Sequence, residues 1–129
     1  MSLIGLDLGE KRVGVAISRS GIIAEPLTTL NFDDNFFREL KNICQEEEAE
    51  KIIIGLPKSL SGKENAQEQK IRKTAKDIEK KMGTSVELID ESFTSKMAEE
   101  RKAKDIDQEA AVIILQDYLD GQKEINRNW

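Results

Sequence analysis

Three carboxylates are the strongest chemical signal in this chain: Asp7, Glu91 and Asp107. Asp7 stands inside an apolar strand, Leu3-Ile4-Gly5-Leu6-Asp7-Leu8-Gly9. A charge among core residues is costly unless something compensates it, and a bound cation does so well. Glu91 follows Leu88-Ile89-Asp90, at the carboxyl end of a later strand, where sites of open α/β sheets gather. Asp90 and Glu91 point to opposite faces, and the sequence barely separates them. Asp107 precedes Ala111 by four residues and extends the inward stripe Ala111, Ile114, Leu115 and Tyr118 of the last helix.

Each residue also has a plainer reading. Asp7 can bond the amides of the Gly9-Glu10 turn, and Asp90 and Glu91 can be solvated loop carboxylates. Asp107 can cap its helix. Asp105 is available for that cap, with Gln108 three residues on in the manner of a capping box, which frees Asp107. Three gathered carboxylates repel and raise one another's pKa, and a divalent cation resolves the conflict. Oxygen-only ligands suit Mg²⁺ or Mn²⁺. Such an ion activates water and stabilises an in-line phosphoryl transition state, so the chemistry reached is hydrolysis of a phosphate ester.

What the chain lacks narrows the field. It has no histidine, which excludes Ser-His-Asp, Cys-His and His-ligated metal chemistry. Its one cysteine, Cys44, excludes an internal disulfide and reads as a small buried hydrophobe of an amphipathic helix. The 129 residues suit one domain with one core, and a net charge of −5 argues against a general nucleic-acid binder. No apolar run is long enough for a membrane helix and no signal-peptide pattern opens the chain, so the expected location is the cytoplasm.

The elements that must position the carboxylates follow from periodicity. Strands are expected near 3–8 and 13–18. An extended segment through Ile22-Ile23-Ala24, broken by Pro26, ends near Leu30 and completes an antiparallel meander. A helix capped by Asp33 or Asp34 carries Phe36, Phe37, Leu40, Ile43 and Cys44. Lys51 to Gly55 reads as a strand covered on both faces. A loop over 56–64 leads to a helix over 65–82 that Gly83 terminates. A strand over 86–89, a short helix near 94–102 and a helix over 106–120 follow. Residues 122–129 read as a polar tail carrying Trp129. The expected fold is α/β: a mixed five-stranded sheet, three antiparallel strands then two parallel ones, with helices on both faces. Residues 1–121 form one domain.

Gly55 to Lys63 differs from a P-loop in glycine spacing, and Glu64 follows Lys63 where Ser or Thr is required, so a Walker site is rejected. That loop can still hold phosphate through its amides. Lys11, Arg12 and Lys58 lie beside the proposed site and are the better candidates for phosphate contact. Aromatic residues are few, which argues against a base-stacking platform.

These segments resemble the YqgF (RuvX) family. Gly5-Leu6-Asp7-Leu8-Gly9-Glu10-Lys11-Arg12-Val13-Gly14-Val15-Ala16 is similar to its opening motif, and Ile53-Ile54-Gly55-Leu56-Pro57 with Gly62 to its central loop. Asp90-Glu91 with Thr94 resembles its third motif, and Asp107, Ala110-Ala111 and Ile114 to Leu119 its final helix. The resemblance implies a ribonuclease H-like fold. It also implies a nuclease that processes the 5′ end of pre-16S ribosomal RNA or resolves Holliday junctions. The family's acidic site falls on Asp7, Glu91 and Asp107, as catalytic and metal-binding residues. Lys11, Arg12, Lys58 and Ser59 are the substrate-binding candidates. Structured RNA is the expected partner, with ribosomal precursor particles and branched DNA as further ones.

Two departures stand out. Ser92 occupies the place where the family usually has Arg, and the basic segment from Arg101 to Lys104 is short. With the acidic net charge they keep open a weakly active or non-catalytic RNA-binding module. The Asp7-Leu8-Gly9 hairpin also resembles the phosphate loop of actin-like and sugar kinases. Those enzymes clamp nucleotide between two lobes, and this chain supplies one.

Overall fold

The computed structural model describes residues 1–57, 65–91 and 106–127. Five strands form one sheet: β1 (Ser2–Leu8), β2 (Arg12–Ser18), β3 (Glu25–Asn31), β4 (Ala49–Leu56) and β5 (Ser85–Asp90). Their order is β3-β2-β1-β4-β5. β1 pairs antiparallel with β2, and β2 with β3; β4 runs parallel to β1, and β5 parallel to β4. The expected mixed sheet is therefore present.

Alternation divides the sheet into two apolar faces. Ile4, Leu6, Val15, Ile52 and Ile54 meet α1 (Phe36–Glu46) and α2 (Ala66–Met82) through Phe36, Leu40, Ile71 and Ile78. Ala16 and Ile53 on the other face meet α3 (Ile106–Arg127) through Ala111, Ile114, Leu115 and Leu119. Ile114 and Leu115 are almost fully buried, and each stabilises this contact by roughly 1.5–3 kcal/mol. Cys44 is buried, as expected.

The helix ends follow their chemistry. The Asn65 side chain accepts from the Glu68 amide at 2.9 Å, and Gly83 closes α2 in the left-handed conformation at φ 65°. For α1 the N-cap is Asn35, without a side-chain cap bond. Asp33 instead accepts from the Asn35 amide at 2.9 Å, so it shapes the preceding turn.

Two boundaries differ from expectation. Ile22 and Ile23 lie outside β3 and are 52% and 61% exposed, whereas Pro26 lies within the strand. β3 is an edge strand, where a proline costs no ladder bond, and the β2–β3 register shifts beside it between Val15 and Ala16. The last helix continues past 120 to Arg127. The short helix expected near 94–102, the Asp105 cap and Trp129 lie outside the described residues. No described helix is long and apolar enough to cross a membrane.

Candidate active site

The carboxyl end of β1 is where the acidic residues gather. Ile4, Leu6 and Leu8 face α1 and α2, so Asp7 falls on the α3 face, directly across from Gly14 of β2. α3 begins there. A Cβ on Gly14 would collide with the carbonyl oxygen of Asp107, one on Gly5 would stand 2.7 Å from the Leu115 Cβ, and one on Gly55 would strike Ile114. Three strands thus present glycine where the helix crosses, and the helix start sits on bare sheet backbone beside Asp7. A glycine inside a valine-rich strand signals such an approach. Gln108 adds a tie from α3 to β3, its Nε2 donating to the Thr29 hydroxyl at 3.1 Å.

The electrostatics of Asp7 set it apart. Burial first, and the nearby Asp107 carboxylate second, push its carboxyl from 3.8 up to about 6. Asp107 is ion-paired: the Arg12 Nε donates to its Oδ2 at 3.0 Å. The Arg12 side chain is 63% exposed, so this pair contributes under about 1 kcal/mol and is easily exchanged. Arg12, expected on substrate phosphate, here rests on a carboxylate of the site.

Glu91 stands further off. Its amide donates to the Leu56 carbonyl at 3.0 Å, which extends the β4–β5 ladder by one rung. Leu6 is level with Ile54, and Gly55 with Ile89. Residue 91 therefore lies two strands across from Asp7 and two residues beyond its level, roughly 10 Å sideways and 7 Å along. The ladder also separates the two neighbours that sequence left ambiguous. Val86 and Leu88 pack with α2, so Asp90 shares their face and Glu91 falls on the face of Asp7. Among the described residues no group of three Cys, Asp or Glu is close enough to hold a metal ion. The structure brings Asp7 and Asp107 together and leaves Glu91 on the same face at a distance.

A divalent cation fits the Asp7–Asp107 pair on chemical grounds. Both donors are carboxylate oxygens, and burial and the Asp107 charge raise the Asp7 carboxyl to about 6, a conflict that a cation would relieve. Lys11 is exposed on the β1–β2 turn beside them. Lys58, Ser59 and Ser92 lie outside the described residues.

One positioning group escaped the sequence reading. Gln116 accepts from the Ala24 amide at 2.9 Å and donates to the Ile22 carbonyl at 3.0 Å, pinning the β2–β3 connection to α3. Nothing in the sequence distinguishes it from a solvated glutamine.

Known proteins resemble this chain in sequence and in fold. Residues 1–121 match the RuvX family, described as Holliday junction resolvase. A protein of Thermosynechococcus vestitus carrying the name "Putative pre-16S rRNA nuclease" is 41% identical, over 96% of this chain and 91% of its own length. A protein of the same name from Thermoanaerobacter pseudethanolicus is 38% identical, over 95% of this chain and 99% of its own. Among solved structures, T. thermophilus RuvC in complex with Holliday junction substrate superposes with a TM-score of 0.63 at 12% identity, covering 95% of this chain and 96% of that one. The Fowlpox virus resolvase with junction DNA gives 0.60 at 14% identity, covering 95% and 99%. Those two show the fold, which is the expected ribonuclease H-like α/β architecture. The family match and the two relatives establish that the chain belongs to the RuvX family.

Proposed function

We propose that this chain is a Mg²⁺- or Mn²⁺-dependent nuclease that hydrolyses phosphodiester bonds of nucleic acid. Its substrate is the structured precursor of 16S rRNA, cut at the 5′ end in the cytoplasm on ribosomal precursor particles. The observation that carries this reading is the half-buried Asp7 carboxyl, pushed up to about 6 beside Asp107 at the carboxyl end of β1. Structural carboxylates are rarely held against each other in this way, and perturbed ones cluster at functional sites. The names of the relatives, "Putative pre-16S rRNA nuclease", support this choice of substrate.

Each residue then has a task. Asp7 and Asp107 would hold the cation, with Glu91 just past β5 as the third acidic group on the same face. A divalent ion bound there supplies an activated water and offsets charge on the phosphate. Arg12 leaves Asp107 for the arriving phosphate, which uncovers that carboxylate as substrate docks. Lys11, Lys58 and Ser59 add phosphate contacts that set register. Residues 1–121 carry the activity and 122–129 are an appendage to it.

The test is incubation with a 5′-extended pre-16S fragment and with a four-way DNA junction, each with Mn²⁺ or EDTA. Mn²⁺-dependent cutting of the RNA, lost in Asp7→Asn, supports the reading. Cutting of the junction alone would replace it by branched-DNA resolution, which the family description favours and which needs two sites on a dimer. Metal-independent RNA binding without any cutting would leave an RNA-binding module.

A further inference from the structure

A cleft of about 310 Å³ opens on the other side of the same strand end. Leu8, the residue after Asp7, lines it, and Glu10 of the β1–β2 turn stands at its rim. Phe32, just past β3, and Ile71 of α2 complete its apolar walls, while Lys70 and Thr74 of α2 supply polar groups. None of the tasks given to Asp7, Glu91 and Asp107 uses this space. We propose that the cleft receives one unpaired nucleotide of the substrate strand, next to the bond that the carboxylates cut. This deepens the nuclease reading and rests on it.

The chemistry of the walls matches a nucleotide. A base is a flat apolar body with a polar edge and an anionic tail. Leu8, Phe32 and Ile71 provide apolar surface that includes one aromatic ring. That ring is braced edge-on by Phe36, with centroids 5.0 Å apart, so it is positioned before any ligand arrives. Lys70 is exposed and can meet a phosphate. The Thr74 hydroxyl donates to the Lys70 carbonyl at 2.9 Å, which leaves its lone pairs to accept from a base amino group. Glu10 can accept from a ribose hydroxyl, the group by which a protein tells RNA from DNA. The volume lies at the small end of ligand pockets, enough for one nucleotide and too little for a base pair.

Asp7 and Leu8 are successive residues of one strand, with Cα atoms about 3.8 Å apart and side chains on opposite faces. A single strand draped over the end of β1 therefore sets a phosphate against the α3 face and a neighbouring base in the cleft. A fully paired strand cannot splay that base out without breaking a pair.

The test separates the cleft from the catalysis. Adenosine 5′-monophosphate is titrated in EDTA into isotope-labelled protein while the methyl signals of Leu8, Ile71 and Thr74 are followed. Binding to RNA hairpins with and without one unpaired nucleotide is then compared, also in EDTA. The expected result is saturable movement of those signals. A preference of roughly tenfold for the hairpin with the unpaired nucleotide is expected, lost in Phe32→Leu and weakened in Lys70→Glu. Phe32→Leu keeps apolar bulk against Phe36, and Lys70 is exposed, so both variants should fold; circular dichroism confirms it. Signals that stay still, or folded variants that keep the wild-type preference, overturn the proposal. If the wild type cuts nothing in Mn²⁺ yet shows the preference and its dependence on Phe32 and Lys70, the nuclease reading falls and the cleft stands.

Discussion

Replacing Asp7 with asparagine should stabilise the protein, and by an amount that depends on pH. The native state holds this carboxyl at about 6, against 3.8 for an ordinary aspartate. Native protein therefore binds more protons than unfolded protein between those two values, and stability rises as pH falls through about 6. Above pH 7 the ionised Asp7 costs the fold about 3 kcal/mol. The neutral asparagine side chain carries no such cost, so Asp7→Asn should gain up to that amount at pH 8, equivalent to about 10 °C in Tm for a domain of this size. The gain should shrink as pH drops through 6 and vanish below 3.8, where Asp7 is protonated in both states. Urea unfolding of both proteins in EDTA at pH 8, 6 and 4 measures it. A variant no more stable than wild type at pH 8, or a gain that does not change with pH, would refute the electrostatic account of Asp7. Mn²⁺ provides the counterpart. It should raise the stability of wild type at pH 8 and leave Asp7→Asn nearly unchanged, since only the former keeps the charge that a cation binds.

Three further outcomes follow from the same contacts. Gly14→Ala places a methyl against the Asp107 carbonyl, on two backbones with little room to move, so it should cost at least about 1–3 kcal/mol and depress cleavage by displacing α3; urea unfolding and rate measurements read both. Gln116→Ala removes both ties to the Ile22–Ala24 connection and should cost about 1–3 kcal/mol, with faster hydrogen exchange at Ala24. Its cleavage rate should stay near wild type, because that connection lies at the opposite end of β2 from Asp7. Arg12→Ala removes the cation paired with Asp107 and should tighten Mn²⁺ binding, read by electron paramagnetic resonance, while weakening RNA binding and lowering its salt dependence.

Much of this architecture is legible in the sequence because single-residue chemistry dictates it. The run from Lys51 to Gly55 could only be a strand covered twice, and Gly83 could only end a helix. The stripe through Ala111, Ile114 and Leu115 identified the face of α3 and placed Asp107 on it. Asp7 was legible because a charge between Leu6 and Leu8 demands a reason. What was illegible depends on partners distant in sequence. Pro26 reads as a breaker until β3 is known to be an edge. Asp90 and Glu91 are told apart only by the β4–β5 register, and Gln116 gains meaning only from the connection it grips. The spacing of the carboxylates was also beyond reach, since the two-strand gap between Asp7 and Glu91 follows from sheet order rather than local pattern.

Asp7, set against Asp107, is the residue on which the proposed cation-dependent cleavage turns. The most direct measurement is the rate of cleavage of a 5′-extended pre-16S fragment as Mn²⁺ is raised, for wild type and Asp7→Asn at equal fold content. Wild type should show a saturable rise, and the variant a loss of at least about a hundredfold. Cleavage by Asp7→Asn at the wild-type rate, or cleavage by wild type that persists in EDTA, would contradict it.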